Sequence, residues 1–139
     1  MRAAVVDASV AVKWVLPEPD SDRAVALRDK VLHAPDLALA ECGNALWVRV
    51  HRGVLSKAEA ETCFAALSLA PVSWTPTEQL AAEAMALALD LDHPVYDCVY
   101  LALAIARDLP LVTADRRLIA VAQGRPEIAG HVRPLNTVE

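Results

Sequence analysis

From Cys98 to Ala106 every residue is apolar, and the residue immediately before this run is Asp97. Nine apolar residues are about half of what a membrane-crossing helix needs. The run therefore belongs inside a folded core, as the buried part of a helix that Pro94 opens. With hydrophobic residues at 55% and aromatic residues at 4%, that core is mainly aliphatic. Such a composition favours helices packed on a sheet and argues against disorder. The unusual element is the carboxylate at the head of the run.

The rest of the chain divides into short aliphatic strands and longer helical patterns. Ala3–Val6 reads as a buried first strand ending at Asp7. Ser9 is expected to cap a short helix that Pro17 ends. Asp20 or Ser21 caps a helix running to about Leu32. Pro35 and Asp36 open a long helix to about Arg52, stopped by Gly53. "SKAEAE" from Ser56 is a capping box with Glu59 at its fourth residue, and its helix runs to about Ala70. Val72–Trp74 is a second strand. Pro76 and Thr77 start a helix through Leu91, and Asp92 or His93 caps the next, which ends near Asp108. Leu111–Thr113 is a third strand, Asp115 caps a short helix closed by Gly124, and Val132–Leu135 is an edge strand because of Pro134. Alternating strands and helices predict an α/β chain: a three-layer α/β/α sandwich with a mainly parallel central sheet. A single domain over residues 1–139 is expected, with no repeat or linker.

In parallel sheets, ligands bind beyond the carboxyl ends of the strands. Asp7 and Asp115 fall there. On the long helix, Leu37, Glu41, Asn44 and Val48 share a face at 100° per residue, so Glu41 is expected to point inward. Asp97 shares its face with Leu101 and Ala104. No lysine or arginine lies a turn away on either face, and buried unpaired carboxylates are costly. Four such acids repel one another by about 4 kcal/mol per pair at about 4 Å. A divalent cation between Asp7, Glu41, Asp97 and Asp115 reverses that sign. An all-oxygen donor set selects Mg²⁺ or Mn²⁺ over zinc and suits phosphodiester hydrolysis.

The motifs "VVDAS", "LALAECGNALW", "YDCVYLALA" and "LVTADRRL" occur in that order along the chain. In this the sequence resembles PIN-domain ribonucleases, and among them the VapC toxins of toxin–antitoxin pairs. The resemblance spans nearly the whole chain. It implies Mg²⁺- or Mn²⁺-dependent endoribonuclease action on RNA, frequent homodimers, and inhibition by a cognate antitoxin. It carries the catalytic acids to Asp7, Glu41, Asp97 and Asp115. In the reading that follows, Asp7, Asp97 and Asp115 are the metal ligands, and Glu41 ligates or orients water. Ser9, Asn44 and Thr113 are the supporting polar residues. Where some relatives carry a further acid beside the last one, this chain has Arg116 and Arg117, which supply no ligand for a second metal. Both arginines are candidates for contacting RNA phosphates at the pocket rim.

Net charge is −5, so no bulk positive charge holds a nucleic acid here. Arg49, His51 and Arg52 form a cluster about 16 Å along the helix from Glu41, read as surface charge. The four histidines have no ligand spacing, and His93 is read as a cap. Three separated cysteines and the absence of a leader pattern point to a soluble cytoplasmic protein with reduced thiols and no membrane association. A dehalogenase-type phosphatase needs a second aspartate where Ser9 stands, and a dinucleotide binder needs glycines after the first strand. The rival from another class is a PIN-like module that binds RNA or protein without cutting.

Overall fold

The computed structural model describes residues 1–139. Five strands form one sheet: β1 (Ala3–Val6), β2 (Val31–Pro35), β3 (Val72–Thr75), β4 (Leu111–Thr113) and β5 (Val132–Pro134). Their order is β3-β2-β1-β4-β5, and all four pairings are parallel. The first strand made is thus the central one. Val5 pairs with His33 on one side and Leu111 on the other. A strand flanked on both edges and covered on both faces has no place for polar side chains, and "AAVV" supplies none.

Eight helices connect the strands. They are α1 (Ala8–Ala11), α2 (Ser21–Ala26), α3 (Leu37–His51), α4 (Lys57–Ser68), α5 (Ala81–Leu91), α6 (Val95–Arg107), α7 (Arg116–Gln123) and α8 (Pro126–Ala129). The sheet and its helical layers form the expected α/β/α sandwich. Helix α6 lies across β1, β2 and β4, with α5 packed along it. Its residues Cys98–Ala104 are all buried, so it is the spine of the main core. A smaller core joins α1, α3 and α4 through Ala11, Leu16, Cys42, Leu46 and Leu67. All three cysteines are free thiols. No helix is long and apolar enough to cross a membrane.

Several local expectations are corrected. The segment around Leu32 is a strand, β2, and not the end of a helix. Helix α2 stops at Ala26, and a 3-10 turn (Leu27–Asp29) leads into the strand. Burial alternates along β2, with Leu32 and Ala34 inside and Val31 outside. This period of two marks a strand, and the charged "RDK" before it hides the boundary. Pro35 is tolerated because it closes the strand. Asp7, not Ser9, caps α1: its backbone is extended and its carboxylate accepts from the Val10 amide. Pro76 and Thr77 open a 3-10 turn (Thr77–Gln79), and α5 begins only at Ala81. Asp92 closes α5 with a left-handed backbone (φ 51°), and Pro94 is the cap of α6. His93 caps nothing; its ring has another use.

Candidate active site

The end of β1 delivers Asp7 to the carboxyl edge of the sheet, directly beside the end of β4. Asp7 is 4% exposed. Both of its oxygens are held by hydroxyls. Ser9 Oγ donates to Oδ1 at 2.5 Å, and Thr113 Oγ1 donates to Oδ2 at 2.5 Å. Those hydroxyls are themselves fixed: the Ala114 amide donates to Ser9 Oγ and the Asp115 amide to Thr113 Oγ1, each at 3.0 Å. Two hydroxyls, one from the first turn of α1 and one from the end of β4, thus lock one carboxylate. Burial still dominates and pushes Asp7 up to about 6, against the lowering by these hydrogen bonds.

Asp115 caps α7, accepting from the Arg117 and Leu118 amides through Oδ1. It is half-buried and keeps Oδ2 free of protein partners. Asp97 stands in the first turn of α6, and its Oδ2 lies 2.7 Å from His93 Nε2. Its remaining oxygen is likewise free. Glu41 is half-buried on α3. Tyr100 donates its hydroxyl to Glu41 Oε1 at 2.5 Å. Tyr100 is 1% exposed, and burial together with the Glu41 carboxylate pushes its phenol far above the usual range. It is therefore a fixed donor.

The four acids share one electrostatic neighbourhood. Asp97 adds like-charge repulsion to Asp7. Burial raises Glu41, and repulsion from Asp97 and Asp115 adds to the rise. No cationic side chain offsets this at Asp7 or Glu41. As the side chains stand, no three ligand-type residues converge closely enough to hold an ion. The chemistry of the donor set nevertheless fits a hard divalent cation: carboxylate oxygens only, three with an unused oxygen, and uncompensated negative charge. Asp97 and Asp115 each direct one oxygen to a protein donor, a histidine ring and the N-terminus of α7.

Of the residues expected from sequence, Asp7, Glu41, Asp97, Asp115, Ser9 and Thr113 gather at this edge. Asn44 does not join them. The buried stripe of α3 is Ala38, Cys42 and Leu46. At 3.6 residues per turn, Glu41 lies about 100° from the centre of that stripe and Asn44 about 160°. Glu41 is consequently at the margin of the buried face. Asn44 is exposed and bonds to none of the acids. Arg116 and Arg117 are exposed beside Asp115 and form no ion pair. Arg49 instead pairs with Glu18 at 3.4 Å, and His51 stacks on Trp47. Two residues were missed. Tyr100 is three positions after Asp97, so it shares a face with that acid. His93 is four before it. An i, i+4 histidine–carboxylate spacing is a signal the sequence carries.

A family model for the PIN domain matches residues 4–124. The chain belongs to the PIN-domain family. Among its PIN-domain relatives is Ribonuclease VapC3 of Pyrobaculum aerophilum, 36% identical over 121 residues, covering 82% of this chain and 90% of the relative. A crystal structure of a Pyrobaculum aerophilum protein aligns with a TM-score of 0.70 at 26% identity, over 97% of this chain and 85% of that one. A toxin–antitoxin complex from Klebsiella pneumoniae aligns with a TM-score of 0.64 at 19% identity, over 95% and 97%; this likeness is one of fold. The VapC resemblance drawn from the four motifs is thus borne out. Those motifs map onto the PIN-domain elements that carry the acids: the end of β1, α3, the start of α6 and the end of β4.

Proposed function

We propose that this PIN-domain chain, one domain over residues 1–139, is a Mg²⁺- or Mn²⁺-dependent endoribonuclease. The observation that carries the proposal is a buried carboxylate, Asp7, clamped by Ser9 and Thr113 among three further acids, with no cationic side chain beside Asp7 or Glu41. VapC relatives at 36% identity support RNA as the substrate. We propose further that the protein is the toxin of a type II pair, cytoplasmic, homodimeric and restrained by a cognate antitoxin, as the VapC resemblance implies.

When bound, the divalent ion activates water and stabilises charge on the attacking and leaving oxygens. Asp7, Asp97 and Asp115 would hold it through carboxylate oxygens. Ser9 and Thr113 keep Asp7 in one rotamer. His93 orients Asp97, and the α7 amides orient Asp115. Glu41, held at one oxygen by Tyr100, presents its other oxygen to the attacking water and takes up its proton. Arg116 and Arg117 attract RNA phosphates at the rim.

The test is cleavage of a panel of structured RNAs by the wild type and by Asp7→Asn, each with Mg²⁺ and with EDTA. Metal-dependent cleavage lost in the variant is expected. Full activity in Asp7→Asn would remove the metal assignment. RNA binding with no cleavage in either condition would favour the non-cutting module instead. For the toxin role, expression should arrest growth, and co-expression of the antitoxin should relieve it.

A further inference from the structure

Beside the acids is a cavity of about 290 Å³, bounded by the end of β4, the start of α7, the turn after Lys13 and the segment after β5. Its wall includes Thr113 and Ala114, the two residues whose hydroxyl and amide secure Asp7 and Ser9. Thr113 both holds Asp7 and lines this cavity, so an RNA chain with its scissile phosphate at the acids would pass the opening. We propose that the cavity is a nucleotide subsite, gripping one unit of single-stranded RNA next to the bond that is cut. This inference rests on the ribonuclease reading for its substrate, and names where a flanking nucleotide is bound.

Three features make the cavity suited to that ligand. First, its charge is positive in a protein whose net charge is −5. Lys13 and Arg116 both line it, and neither forms an ion pair. Lys13 Nζ donates only to the Pro19 carbonyl, at 2.9 Å. The acid in the wall, Asp20, is turned to Arg23 at 3.6 Å, which leaves the two cations for phosphate. Second, Asn136 is exposed at the rim, and its amide offers both a donor and an acceptor to a base edge. Third, Ile119, Pro134 and Leu135 provide an apolar surface, and no aromatic ring is present. Recognition here therefore works by charge and hydrogen bonding, without stacking. The two larger cavities lie on either side of α4, lined by residues such as Trp47 and Phe64 or Leu55 and Cys63, and none of the four acids lines them.

The test uses full-length protein carrying Asp7→Asn, so that RNA is bound and not consumed, with a dye-labelled library of short single-stranded RNAs in EDTA. Adding Lys13→Gln should weaken binding about tenfold at low salt and lower the salt slope by about one. Adding Asn136→Ala should change which base is preferred at one position and leave the slope intact. In the otherwise wild-type enzyme, Lys13→Gln should raise KM with kcat little changed. Unaltered affinity, slope and base preference in both variants, with unchanged melting temperatures, would overturn the subsite. So would a parent protein that binds no RNA. Absence of Mg²⁺-dependent cleavage in the wild type, with the Lys13 effect on binding intact, would remove the nuclease reading and leave the subsite standing.

Discussion

Asp7 works against the stability of the fold that positions it. Its folded value of about 6 lies above the ordinary 3.8 of an unfolded chain. The folded protein therefore binds more protons between those values. The stability associated with protonated Asp7 is complete below about pH 4 and is lost as pH rises through about 6. The shift corresponds to about 3 kcal/mol. Glu41, also raised by burial, acts in the same direction. In EDTA, wild-type melting temperature should fall between pH 5 and pH 8, and Asp7→Asn should flatten much of that fall. At the same scale, Tyr100→Phe removes only the hydroxyl that holds Glu41. Loss of such an orienting bond typically costs ten- to a hundredfold, so kcat should drop by about tenfold while KM moves less. Steady-state kinetics on a cleaved RNA would check this.

Individual elements differ in how openly their sequences announce them. Helix α4 begins with the expected capping box, Ser56 accepting from the Glu59 amide at 3.0 Å while the Glu59 carboxylate accepts from the Ser56 amide at 2.9 Å. Ser56→Ala should cost about 1 kcal/mol in urea denaturation. Strands β1 and β4 and helices α6 and α7 are equally legible, because an aliphatic run or a cap marks each. Strand β2 is not, since one face of it is half-exposed and it follows charged residues that continue a helical pattern. The acids were legible for a related reason: a carboxylate at a strand end or beside a buried helix face has few inexpensive explanations. The inward direction given to Asn44 was wrong because the sequence sets the period of a helix more firmly than its rotation. The buried stripe of α3 is set by α1 and α4, which periodicity alone does not reveal. Tyr100 was hidden by counting as apolar within its run, and His93 by its nearness to a helix start.

At the scale of the whole molecule, the acidic edge and the excess negative charge oppose RNA, and the local cations must overcome both. Arg116→Glu places a fifth acid at that rim. It should weaken RNA affinity and lower the salt slope by more than a neutral substitution does, as measured by anisotropy across a salt series. Conversely, Mg²⁺ held as proposed would neutralise the repulsion among the acids. Its addition should raise the melting temperature near pH 8 by more than at pH 5, where protonation has already relieved Asp7.

The central position of β1 has a consequence in time. Asp7 is made early, but Thr113, which closes its clamp, follows 106 residues later. Synthesis proceeds from the N-terminus, and pairings this distant form late and slowly. A growing chain that has passed Asp97 but not reached β4 carries three of the acids and lacks the Thr113 half of the clamp on Asp7. On the nuclease reading, a chain lacking the strand beside its first aspartate should therefore cut no RNA, which an RNA-cleavage assay of a chain ended before β4 would check.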